Sequence, residues 1–217
     1  EVVERYGADA LRYTVIASAG LGTDIYMDHA NLDNAFGLGR NFSNKIWNAG
    51  RFALMNLDET APGLDEVRGD LELADRWILS RLNGATREST RALEAFRFHD
   101  AADAVYRFFW NELADWYLEL VKPRMRGDAG EGSRRAAQAT LVDVLDRILR
   151  LVHPIMPFIS EALWRRLRGR PAPREASLII AQWPEPRAEF DDPKAEATFD
   201  ALTELIGSIR TLRKEYD

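Results

Sequence analysis

Apolar residues recur at helical spacing along nearly the whole chain, with hardly any of the alternation that a half-buried strand needs. The clearest stripe is Leu141, Val144, Leu145, Ile148, Leu149 and Val152, which returns every three or four residues and predicts one buried helix face. His153-Pro154 ends that helix, and Pro157 opens another in which Ile159, Leu163 and Leu167 share a face. Upstream, residues 73–96 read as a helix joined through Arg97-Phe98-His99 to a second one over 100–121. Val105, Tyr106, Phe109, Trp110, Leu113, Trp116, Tyr117 and Leu120 give that second helix a wide aromatic face, which predicts the most buried helix of all. Residues 127–132, with three glycines, predict a flexible turn, and the pattern over 199–217 is helical to its end. Only 177–183, between Pro173 and Pro184, is strand-like. The expected class is therefore all-α, an up-and-down helical bundle with at most one short strand. The acidic stretch 58–75 and the segment 184–193 read as solvated connections.

One predicted helix, over 31–57, is unusual. Ala35, Leu38, Phe42, Ile46, Ala49, Ala53 and Leu57 form its apolar stripe at about 100° per residue. Opposite them fall Asn34, Gly37, Arg40, Asn41, Asn44, Asn48 and Arg51. Asparagine is a poor helix former, and solvated helical faces are usually written with Glu, Lys and Gln, so four asparagines on one face need a reason. Between residues 34 and 57 there are also three cations, Arg40, Lys45 and Arg51, and no acid. Amides that both donate and accept, interleaved with cations, suit exposed bases and phosphates. The same amides could instead bond another helix inside the bundle, and spacing alone does not separate the two.

A second candidate lies in the aromatic helix, where Trp116 and Tyr117 precede Lys122 and Arg124 and offer a platform for an unstacked base. A third is the cluster Arg165, Arg166, Arg168, Arg170 and Arg174, which would track a phosphate backbone or simply end a solvated helix.

Composition narrows the remaining possibilities. At 217 residues, 46% hydrophobic and 29% charged, the chain is long enough to bury a core without staples. A net charge of −6 excludes gripping nucleic acid by overall positive field, so any such contact is local. With no cysteine, thiol catalysis, disulfides and cysteine-held metals are out, and a cytoplasmic setting is expected. Histidines 29, 99 and 153 lack the i, i+4 spacing of helical metal sites, and no phosphate-binding loop or nucleophile elbow is present. No apolar run is long enough for a membrane span, so no membrane partner is expected. The helical pattern at both ends reads as a piece of a longer protein.

Several segments together resemble the valyl-tRNA synthetase family. They are YGADALR at 6–12, GTDI at 22–25, RNFSNKIWNAGRF at 40–52, DRWILSRL at 75–82, FWNELADWYLELVKP at 109–123, HPIMPFISEALW at 153–164, SLIIAQWP at 177–184 and IRTLRKEY at 209–216. The isoleucyl and leucyl families share the fold but match DWYLELVKP and NKIWNAGRF less well. The resemblance implies a stem-contact segment over 1–28, an anticodon-binding bundle over 29–190 and a terminal helix over 191–217 leading toward a coiled coil. It implies that the whole, monomeric enzyme joins valine to its tRNA with ATP and Mg, while this stretch is non-catalytic and holds no cofactor. Its partners would be the valine tRNA and the catalytic domain of the same chain. By likeness to the related methionyl enzyme, an anticodon-contacting asparagine falls at Asn34 and a tryptophan at Trp116, whereas the arginine of that pattern falls on Leu38. The expected tRNA-binding set is Asn34, Arg40, Asn41, Asn44, Lys45, Asn48, Arg51, Trp116, Tyr117, Lys122 and Arg124. The alternatives are a helical scaffold that docks a protein through its asparagine face, or the equivalent domain of the isoleucyl or leucyl enzyme.

Overall fold

The computed structural model describes residues 1–20, 22, 24–25, 31–59, 61–167 and 177–216, with side chains as far as Arg213. His29, Arg168, Arg170 and Arg174 lie outside the described residues. Two short helices, α1 (Val2–Tyr6) and α2 (Ala8–Ser18), precede the long α3 (Leu32–Asn56). A 3₁₀ turn (Leu64–Asp70) leads into α4 (Leu73–Glu94). α5 (Phe98–Arg107) continues without a break through a π-helical tract (Phe108–Tyr117) into α6 (Leu118–Met125). Then come α7 (Glu131–Val152), α8 (Pro157–Trp164) and α9 (Pro193–Tyr216). Among the described residues there is no strand: the strand-like run forms a single 3₁₀ turn (Leu178–Ile180) that buries Leu178 and leaves Ile179 and Ile180 exposed.

The helix boundaries follow local chemistry. Asn31 caps α3 by accepting the Asn34 amide at 3.1 Å. Pro157 begins α8, and Gly127 and Gly130 take the positive φ values of 86° and 89° that turn α6 into α7. Phe98 already belongs to α5, so the connection from α4 is shorter than expected; its tight turn puts Phe96 at φ 57°.

The most buried helix is α7, not the aromatic one: 15 of its 22 residues are buried. Small residues explain the difference. Ala136, Ala137 and Ala139 let α7 sit at the centre of the bundle, whereas the aromatic stretch leaves Leu120 exposed and Trp110 half-buried.

The acidic segment is not wholly a solvated connection, because Leu64 and Val67 are buried and Asp75 is completely so. Asp75 accepts from the Glu72 amide at 2.9 Å, closing the first turn of α4. It also accepts from the Tyr117 hydroxyl at 2.8 Å and from both terminal nitrogens of Arg124, at 2.9 and 2.7 Å. Arg124 in turn donates to the Ser133 hydroxyl and carbonyl at 2.8 and 3.0 Å. One carboxylate thus ties α4, the π-helical tract, α6 and the start of α7 together.

Two glycines set how closely α3 meets its neighbours. A Cβ at Gly39 would overlap the Ala10 carbonyl oxygen on α2, and one at Gly50 would lie 2.5 Å from Leu163 on α8. These approaches swing the buried face of α3 toward Phe36, Gly39 and Gly50, which is why Leu38, expected inside, is exposed.

At the start of α8, Asp9 of α2 accepts the Phe158 and Ile159 amides at 3.2 and 2.6 Å, satisfying two of the helix's free donors. Beside it, His153 Nδ1 lies 2.8 Å from the Ser160 hydroxyl. At the other end of the bundle, Asn83 is fully satisfied: its amide group donates to the Arg187 carbonyl and to Asp191, and its oxygen accepts from the Arg187 amide and from Arg147. Phe199 stacks on Trp77 with ring centroids 3.7 Å apart, anchoring the start of α9. Beyond it, Leu202, Leu205, Ile206, Ile209 and Leu212 are exposed along one side of α9.

Asp75→Ala leaves the buried Arg124 with only the half-exposed Glu72 as a carboxylate neighbour, so it is expected to lower unfolding stability by about 3–5 kcal/mol. Tyr117→Phe, which removes one neutral donor, should cost about 1 kcal/mol, and urea denaturation compares the two. Gly39→Ala should push α2 off α3 at a cost of about 1–3 kcal/mol, visible as lost amide protection in α2. Burial holds His153 below its ordinary value of 6.5, while the nearby Glu161 and Asp9 carboxylates oppose the shift. The unfolded chain therefore binds this proton more readily, and stability should fall as pH drops below about 6.5. Asp9 is shifted the other way, upward from 3.8 by burial, and stabilises toward acid pH. His153→Gln should flatten the urea-midpoint profile between neutral pH and the low sixes; an unchanged slope would exclude His153 as its source.

Candidate nucleic-acid interface

The exposed face of α3 carries Asn34, Arg40, Asn41, Asn44, Trp47, Asn48 and Arg51, all in the exposed class, with Lys45 half-buried at its margin. None of the side-chain amides of Asn34, Asn41, Asn44 and Asn48 is hydrogen-bonded to another described residue. The asparagines therefore do not bond another helix inside the bundle; their donors and acceptors face solvent.

The cations on this face are not equivalent. Arg40 lies 3.5 Å from Asp33 and 5.9 Å from the Tyr6 ring, at the end of α3 where Tyr6 and Arg5 also hold Asp33. Lys45 reaches Asp115 of the π-helical tract at 2.6 Å and sits 4.9 Å from the Trp110 ring. Arg51 has no carboxylate partner among the described residues. Exposed pairs such as Arg40–Asp33 contribute little to stability, so exchanging their carboxylate for a phosphate costs little.

The core beneath holds the face in place. Phe42 packs against Tyr13, Tyr106 and Phe109 at centroid distances of 4.8, 5.0 and 5.7 Å. Burial in this group pushes the Tyr13 hydroxyl well above the usual phenol range and the Tyr106 hydroxyl upward as well. Fixed aromatic packing under a polar helix surface is what preorganised recognition requires.

Two residues expected in the interface do not reach it. Tyr117 is wholly buried, its hydroxyl pushed far up by burial and by the neighbouring Asp75. Arg124 is 6% exposed and committed to Asp75. Trp116 is half-buried, edge-on to Phe199 and 5.2 Å from the Arg210 guanidinium, so α9 covers part of its ring. Lys122 is half-buried on α6 and pairs with Glu119 at 2.6 Å. Arg165 pairs with Glu161 at 2.5 Å, whereas Arg166 donates to the Ala162 carbonyl at 2.7 Å. The sequence pattern overlooked Trp47 because it falls outside the asparagine stripe. Its signal was an aromatic placed three residues after Asn44 and four before Arg51.

Among the described residues, no group of three or more His, Cys, Asp or Glu side chains is placed to hold a metal, and no helix is long and apolar enough to cross a membrane.

The chain is 46% identical over 219 residues to the valine–tRNA ligase of Geobacter sulfurreducens, aligning along 100% of itself and 24% of that protein. To the valine–tRNA ligase of Latilactobacillus sakei it is 42% identical over 216 residues, covering 99% of this chain and 24% of the relative. It thus spans about a quarter of the relatives it matches. A chain in the crystal structure of the LeuRS–tRNA–LeuAMS ternary complex of Agrobacterium radiobacter shares the fold, with a TM-score of 0.62 at 21% identity over 88% of this chain and 21% of that one. Residues 75–217 match the family described as the anticodon-binding domain of tRNA ligase, and with that match the chain belongs to the anticodon-binding domain family of tRNA ligases.

Proposed function

We propose that the exposed face of α3 binds the anticodon loop of a tRNA, and that the whole protein containing this chain ligates valine to tRNA with ATP and Mg. The observation that carries the first part is a row of four solvent-facing asparagines, their side-chain amides without a hydrogen-bond partner among the described residues, on a helix whose exposed charges are mainly positive. The relatives named as valine–tRNA ligases, aligned along the whole chain, support the second.

The chemistry follows from the side chains present. Each asparagine amide offers both a donor and an acceptor, and unpaired loop bases expose the complementary edges. Arg51, with Arg40 and Lys45 after exchange of their carboxylates, contacts phosphates and fixes the register of the loop. Lys122 adds a charge on α6, and Trp116 contributes through the Arg210 guanidinium that covers it. The helices supply binding and positioning; adenylation and transfer belong to the rest of the protein. The partners are then the valine tRNA and the catalytic part of the same polypeptide, in a cytoplasmic setting and as a monomer.

The chain is expected to bind a valine tRNA transcript more tightly than the same transcript with an altered anticodon, with affinity falling steeply as salt rises. Asn41→Ala and Asn48→Ala should each weaken binding about 2- to 12-fold, each removing one net hydrogen bond, and should narrow the preference between anticodons. Equal affinity for the two transcripts, unmoved by either substitution, would remove base recognition from this face.

A further inference from the structure

We propose that Trp47 and Arg51, on the edge of α3 facing α8, form a nucleotide subsite of their own, in which an unpaired base stacks on the indole and its phosphate lies on the guanidinium. This rests on the RNA-binding function proposed above and names a contact outside the asparagine row.

Trp47 stands apart from the other five tryptophans. It is 46% exposed, whereas Trp77 and Trp164 are each 3% exposed. Trp110 stacks on Tyr106, Trp116 meets Phe199 and Arg210, and Trp183 donates to the Thr90 hydroxyl. Trp47 has no ring contact, cation contact or hydrogen bond to another described residue. A large aromatic left half in water is a surface that gains by being covered.

Its surroundings favour one kind of cover. On the helix surface its neighbours three and four residues away are Ser43, Asn44, Gly50 and Arg51, so its own helix supplies no aliphatic ring around it of the kind a protein-docking hot spot has. Arg51 is the cation of this face without a carboxylate partner among the described residues; Arg40 and Lys45 are paired. Side chains four apart on a helix lie roughly 5–6 Å from each other at Cβ, a spacing one nucleotide spans between its base and its phosphate. The close packing of Gly50 on Leu163 brings α8 beside this edge, and Arg166, exposed in the turn after Leu163, adds a second cation without a described carboxylate partner. A π face flanked by uncompensated positive charge recognises a single-stranded nucleic acid.

The test uses the chain with an anticodon stem–loop RNA carrying 2-aminopurine at successive loop positions, at low and near-physiological salt. Trp47→Ala should weaken binding about 5- to 100-fold and abolish the 2-aminopurine quenching at one loop position, whereas Trp47→Phe keeps most of both. Arg51→Gln should lower the slope of log affinity against log salt by about one. Trp47→Ala and Arg51→Gln binding like the parent, while Asn41→Ala still weakens, would overturn this subsite and leave the asparagine row standing. No binding by the unsubstituted chain would overturn both. Equal weakening by Trp47→Ala and Trp47→Phe, with a lowered unfolding midpoint, would overturn it by making Trp47 a packing residue.

Discussion

The carboxylate of Asp75 has none of its surface in contact with water, and burying an unpaired charge there would cost several kcal/mol. Three elements are arranged to offset that cost: the first turn of α4, whose backbone amide and dipole face it; the Tyr117 hydroxyl; and the forked guanidinium of Arg124. Because the partners come from positions 42 and 49 residues later in the chain, satisfying Asp75 also fixes the rotation of the whole segment from α5 to α6. Tyr117 ends the π-helical tract. Its inward orientation sets Asp115 and Trp110 toward Lys45 on α3, and Trp116 toward α9. The outer surface inherits its geometry from this inner contact.

This explains how much was readable beforehand. Helical periodicity located the long helices and the polar face of α3, because those depend on neighbours three or four residues away. Tyr117 and Arg124 were misplaced on the surface for the opposite reason. An aromatic and a cation near a helix end look the same whether they meet a base or a buried carboxylate, and only the fold brings Asp75 to them. Leu38 was placed inside because the stripe was centred on bulky residues; glycines 39 and 50 shift the contact by letting whole helices approach. Similarly, aromatic bulk drew attention to the wrong central helix, while three alanines gave α7 that position.

The two ends of the polar face differ in how they are held. Lys45 is tied to Asp115 of the π-helical tract, and Arg40 pairs with Asp33 of its own helix, which Arg5 and Tyr6 at α1 also hold, so α3 is aligned before anything binds. Between Trp47 and Arg51 nothing of that kind is present among the described residues. One part of the helix is thus positioned by ion pairs and the other presents unspent contacts, a division that suits a surface whose shape must persist while its chemistry is exchanged.

α9 acts as a lever. Phe199 on Trp77 is its fulcrum, and the helix continues from there to Tyr216. At 1.5 Å per residue the arm is roughly 25 Å long, so a tilt of about ten degrees at the fulcrum displaces its tip by roughly 4 Å. Arg210 joins that arm to Trp116, next in sequence to the Asp115 that holds Lys45 of α3. Whatever lies along Leu202, Leu205, Ile209 and Leu212 can therefore register events at the α3 surface, turning small angular changes there into displacements large enough to make or break a contact at the far end.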